Sequence, residues 1–208
     1  MIEFDLTKYV SECRNYEPRL HYVMRHMGKL FTRKGPWIMA GAVARCLDKQ
    51  DEELHDFDVF FANKKQIKEL EKSFEYLGFK RILHDELSQM WVGQVGSEPV
   101  KFDWIIGRTH RPIEKLVKSM DFTMLQFCCF YDDGIVVGCE PEALLHLQAK
   151  ALVPTGYGWS TKIRAAMRSD KYTSKGYKYY TVGYLKLIEK GQDLNDSMDT
   201  QELFKQRR

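Results

Sequence analysis

The sequence predicts an α+β protein, on three observations. Apolar strand-like segments alternate with helix-periodic ones as far as residue 78, with Gly, Pro and Asn at the changes of pattern. Three strand-like segments then follow one another without a helix between them, over 79–84, 90–95 and 100–106. Beyond residue 141 the pattern turns helical and increasingly cationic. That predicts two units, a main domain with an N-terminal helical segment over 1–140 and a small helical domain over 141–208. A chain of 208 residues with 44% hydrophobic and 13% aromatic side chains can bury a core of that size.

Residues 4–34 read as mostly helical, because Leu20, Val23, Met24, Met27, Leu30 and Phe31 recur on one helix face. Gly35 and Pro36 end that segment. A short strand over 37–40 then breaks at Gly41 into a helix that starts near Ala42. A polar linker, 48–55, leads into a second strand that carries Asp56, Phe57 and Asp58. Asn63 is the expected N-cap of a helix over 64–77, with Ile67, Leu70, Phe74 and Leu77 inward and Gly78 as its stop. After the three strands come a short helix over 111–117, an apolar segment ending at Phe130, a turn at 131–134 and a strand over 135–137. A helix over 142–152 follows and breaks at 154–158.

The chemistry concentrates in residues 37–63. Successive strand side chains alternate faces, so Asp56 and Asp58 point the same way. Two carboxylates side by side repel unless a cation lies between them, and hard oxygen donors suit Mg²⁺ with substrate phosphate oxygens completing its shell. The Gly41 turn just before them opens a helix, whose first N–H groups are free to meet an anion. Asp103, within an apolar strand, is expensive to bury unpaired. Either it lies on an exposed edge or it shares a metal with Asp56 and Asp58.

Bulk properties exclude several classes. The net charge of +3 is too small to diagnose nucleic acid. Cys13, Cys46, Cys128, Cys129 and Cys139 form no C-x-x-C pair and are odd in number, against a disulfide framework or a zinc ribbon. No cationic start with an apolar block marks a signal peptide, and no apolar run approaches the ~20 residues of a membrane span. A cytoplasmic protein with no membrane partner is expected. In the last segment Arg164, Arg168 and Lys171 share a helical stripe, and lysines and tyrosines interleave from Lys171 to Lys186. This mixture either grips a phosphate backbone with tyrosines stacked on bases, or is a small helical domain with wet lysines.

Taken in order, Gly41 at a strand-to-helix turn, Asp56-x-Asp58, Asp103, Asp121-Phe122-Thr123 and Tyr131-Asp132-Asp133-Gly134 resemble the head domain of the poly(A) polymerase and tRNA CCA-adding nucleotidyltransferases. The segment Lys162 to Arg168 resembles that family's neck helix with its paired arginines, so the likeness spans roughly residues 36 to 175. The resemblance implies a mixed β-sheet, polymerase beta-like head with helices packed on it and a small C-terminal helical segment. It implies an enzyme that moves a nucleoside monophosphate from an NTP to a hydroxyl of an acceptor, RNA of tRNA-like form. Asp56, Asp58 and Asp103 would be both the catalytic residues and the ligands of two Mg²⁺ ions, by analogy. Ala40, Gly41, Arg45, Asp121, Arg164 and Arg168 would bind the nucleotide. The chain departs from the family in having Ala40 for the first of two glycines and Ala44-Arg45 for an Arg-Asp pair. Ser119 and Met120 stand where two arginines are usual. This altered form is similar to compact head-only variants of phages and large viruses. The departures keep a second expectation open, a catalytically inactive nucleotide- or RNA-binding module on the same fold.

Overall fold

The computed structural model describes residues 1–11, 17–48, 56–109, 112–155, 168 and 170–179. Its frame is one mixed sheet. The strands are β1 (Ile2–Asp5), β2 (Trp37–Met39), β3 (Phe57–Phe60), β4 (Lys80–His84), β5 (Ser88–Val95), β6 (Glu98–Ile105), β7 (Phe127–Tyr131) and β8 (Ile135–Cys139). They lie in the order β1-β8-β7-β2-β3-β6-β5-β4. Among the described residues every neighbouring pair in this sheet is antiparallel except β3 and β6. The helices are α1 (Leu6–Ser11), α2 (Arg19–Met27), α3 (Gly41–Leu47), α4 (Lys64–Tyr76), α5 (Ile113–Lys118) and α6 (Pro141–Gln148). Two short strands, β9 (Ala151–Leu152) and β10 (Lys178–Tyr179), pair in parallel and tie the later residues to the end of α6. This is the α+β, mixed-sheet arrangement expected.

The alternation of side chains along β3 and β6 divides the protein's interior from its chemistry. Phe57, Val59, Phe102 and Trp104 are fully buried on one face. There α4 packs Phe74 edge-on against Phe102 and Trp104, with centroids 5.0 Å away in each case, and Trp91 stacks on Trp104 at 5.0 Å. Edge-to-face and offset contacts of this kind add to the large apolar area these rings remove from water. α4 is held in place from its start, since the Asn63 side chain accepts the Gln66 N–H at 3.1 Å. Asp56, Asp58, Lys101 and Asp103 are the residues in between, and they face the other way.

Three local expectations give way to the structure. Residues 4 and 5 are not helical: β1 pairs with β8, Phe4 opposite Val137, a long-range pairing that no local periodicity announces. The helix expected over 142–152 ends at Gln148, because Lys150 adopts a left-handed conformation (φ 52) and Ala151 enters β9. Asp103 is not at an edge, since β6 lies between β3 and β5. Edge exposure therefore does not explain it.

Ala40, which joins β2 to α3, has φ 57 and ψ −120. A β-carbon is poorly accommodated there, and such positions cost of order 1–3 kcal/mol. Ala40→Gly should therefore stabilise the protein by roughly 1–2 kcal/mol, a rise in Tm of about 2–6 °C. Thermal unfolding would show this, and an unchanged or lower Tm would mean that the turn relaxes around alanine.

Candidate active site

The turn from β2 to α3, the tips of β3 and β6, and the segment around residues 168–177 enclose a cleft of about 770 Å³. Ala40, Gly41 and Arg45 line it from the start of α3 and the residue before it, Asp58 and the preceding Asp56 from β3, and Asp121 and Arg168 from the opposite wall. An added β-carbon on Gly41 would meet no protein atom within 4 Å. The glycine thus leaves open space beside the first turn of α3.

The parallel register sets Asp58 opposite Asp103. Asp58 is consequently the carboxyl with most against its charge: burial first, then the Asp56 and Asp103 carboxylates, push its pKa up to about 6, with Arg168 and Lys171 opposing. Burial likewise raises Asp103, helped by the Asp56 carboxylate and opposed by the Lys101 cation. Asp103 Oδ1 is buried and accepts no hydrogen bond. Lys101 Nζ lies 3.7 Å from Asp103 Oδ2 and 3.7 Å from Asp56 Oδ2. Arg45 Nη2 lies 3.5 Å from the other Asp56 oxygen.

On the opposite wall Arg168 donates to Asp121 Oδ2. Burial works against the arginine's charge, but the Asp121 carboxylate outweighs it, so Arg168 holds its proton more tightly than usual. Asp121 therefore engages this partner; the N-cap of the short helical turn Thr123–Leu125 is Phe122, which offers no side-chain hydrogen bond. Tyr172 packs edge-on against Phe122 at 5.7 Å, and burial pushes its hydroxyl up to about 12. Further out, Tyr177 donates to Asp48 Oδ2 at 3.0 Å and Lys150 pairs with the same carboxylate. The cationic, tyrosine-bearing segment is thereby fastened to α3 and α6.

The donor set suits a hard divalent cation in kind: three carboxylates, one with a buried oxygen that lacks a partner. As they stand, no three His, Cys, Asp or Glu groups among the described residues are arranged to hold a metal ion. Lys101 fills the gap between two of the acids.

Of the residues expected at the site, Ala40, Gly41, Arg45, Asp56, Asp58, Asp121 and Arg168 share the cleft, and Asp103 stands beside Asp58 beneath it. Arg164 lies outside the described residues, as does Cys13. The residue that sequence reasoning passed over is Lys101, whose position two before Asp103 on one strand already placed both on one face. Lys171 and Lys175 also line the cleft. Cys46, Cys128, Cys129 and Cys139 are buried thiols in the core. No helix among the described residues is long and apolar enough to cross a membrane.

A family model described as Gabija anti-defense 2 family protein matches residues 3–150. No curated protein sequence matches the chain. Among solved structures it is similar to the Thermotoga maritima CCA-adding enzyme complexed with tRNA, at TM-score 0.62 and 16% identity, covering 88% of this chain and 44% of that one. It is also similar to a CCA-adding enzyme in complex with CTP, at TM-score 0.63, 16% identity and coverage of 92% and 46%. It is similar as well to the apo form II of a CCA-adding enzyme, at TM-score 0.65, 15% identity and coverage of 89% and 49%. The chain thus has a nucleotidyltransferase-like fold and spans just under half the length of these enzymes.

Proposed function

The chain belongs to the Gabija anti-defense 2 family, and from its cleft we propose that it is a Mg²⁺-dependent nucleotidyltransferase. It moves a nucleoside monophosphate from an NTP to a hydroxyl of an acceptor, RNA of tRNA-like form. The observation that carries this reading is the convergence of Asp56, Asp58 and Asp103 on one sheet face, with the Asp103 oxygen left without a partner. Solved CCA-adding enzymes with this fold hold CTP, ATP or tRNA, which supports the choice of nucleotide and acceptor.

In the reaction the acceptor oxygen bonds to the α-phosphorus while the bond to the bridging oxygen breaks. Pyrophosphate leaves and the hydroxyl proton passes to water. Asp56, Asp58 and Asp103 would hold Mg²⁺, which supplies positive charge to the nucleophile and the leaving phosphates. Gly41 leaves room for phosphate against the N–H groups that open α3. Arg45, Lys171 and Lys175 add cationic walls, and the Arg168–Asp121 pair fixes the wall where the nucleoside would lie.

The test is transfer of label from each α-labelled NTP to total RNA in the presence of Mg²⁺. Label should appear on RNA and vanish with Asp56→Ala. Because the family is named for countering a defence system, that system's proteins and nucleic acids form a second acceptor arm. Folded protein that transfers nothing in either arm would overturn the enzyme. A second reading, a non-catalytic nucleotide- or RNA-binding module, is favoured by Ala40 in place of the first glycine and by the lysine between the acids. It predicts binding that is indifferent to Mg²⁺ and to Asp58→Asn.

A further inference from the structure

Extending the β3–β6 register by one residue sets Lys101 beside Asp56, as Asp103 is set beside Asp58. The ammonium group thus stands between the Asp56 and Asp103 carboxylates. Its two contacts, both 3.7 Å, are longer than hydrogen bonds. The side chain is 31% exposed and has a flexible four-carbon stem. It is near enough to neutralise and loose enough to leave.

We propose that Lys101 is a displaceable counter-ion. Its ammonium fills the gap between Asp56 and Asp103 in the metal-free protein, and a divalent cation enters by exchange with it. The inference rests on the metal-dependent reading of the cleft and adds what governs loading. Without any cation the three carboxylates repel one another. With both the ammonium and a divalent ion among them, the two cations repel instead. Arg45 meets the far oxygen of Asp56, outside the gap, so Lys101 is the group a divalent ion would displace. This explains why the acids are gathered and yet are not arranged as a metal cage. It also gives the displaced ammonium a destination, since a triphosphate arriving in the same cleft offers it a new anion. Metal alone should therefore bind weakly, and metal with nucleotide should bind together.

The test is a Mn²⁺ titration without nucleotide, read by electron paramagnetic resonance, on the full chain and on Lys101→Met. The variant should bind Mn²⁺ about tenfold more tightly, since a like charge has been removed from beside the ion. Metal-free Lys101→Met should melt below the native chain, and Mn²⁺ should raise its Tm by more than it raises the native one. A purely structural lysine would give the first change without the second. A gain in affinity below about threefold, or a loss, overturns the counter-ion while Mn²⁺ binding itself leaves the metal reading standing. No Mn²⁺ binding by either protein overturns both. If Lys101→Met does not fold, Lys101→Gln carries the same expectations and the same thresholds.

Discussion

Asp58→Asn should abolish nucleotide transfer and at the same time make the metal-free protein more stable at neutral and alkaline pH. The reason is the position of Asp58: it is half-buried in the cleft and flanked by Asp56 and Asp103, and its carboxyl is pushed up to about 6 from the ordinary 3.8. Between those two values the folded state keeps a proton that the unfolded chain has already lost, so stability falls as pH rises through that window. Below the window both states are protonated and the carboxyl costs nothing. Above it the full cost is present, on the order of 3 kcal/mol for a displacement of this size. Asparagine has nearly the same shape and no charge. Urea unfolding at about pH 8 should therefore find the variant more stable by up to ~3 kcal/mol, and at about pH 4 the difference should largely vanish. A difference that is the same at both pH values would show that Asp58 carries no charge penalty. Saturating Mg²⁺ should narrow the gap at alkaline pH, because an ion held by the native acids offsets their repulsion. A residue that weakens the fold and is required for the chemistry is what an active-site carboxylate looks like energetically.

How much of this was legible beforehand follows from which interactions are local. The Asp56-x-Asp58 pair is readable because strand side chains alternate with a period of two, and Gly41 because a helix must begin after β2. α4 is readable from its cap, its stripe and its glycine stop, all within one segment. Lys101 was not read as part of the site, although it shares a face with Asp103. Its meaning depends on β3 and β6 pairing in parallel, and register between strands that far apart is not written in either strand alone. β1 escaped for the same reason, since its partner β8 lies at the other end of the domain. Ala40 could be read as a departure from a glycine pattern, but only the backbone shows that alanine has kept the glycine-like φ of 57. The ion pair of Asp121 is not readable from its own segment. Its partner, Arg168, comes 47 positions later.

That last pairing leads to the second large expected effect, which concerns the far wall of the cleft. The Asp121 side chain is only 8% exposed, whereas Arg168 is 54% exposed. Arg168→Met leaves a buried carboxylate without its cation. Breaking a fully buried pair typically costs 3–5 kcal/mol, and solvent around the arginine should reduce this to roughly 2 kcal/mol. Asp121→Asn should cost less, because the exposed arginine left behind can turn to water. The double replacement should cost less than the two single changes together, giving a coupling of about 1–2 kcal/mol in a double-mutant cycle read by urea unfolding. Additive costs, with a coupling inside about 0.3 kcal/mol, would mean that the pair contributes nothing to the wall's stability. The same three variants separate two roles for Arg168. If it only holds the wall, the double variant regains nucleotide affinity together with stability. If its guanidinium also meets the phosphates, stability recovers in the double variant and affinity does not. The second outcome is the expected one, because Arg168 lines the cleft in company with Lys171 and Lys175.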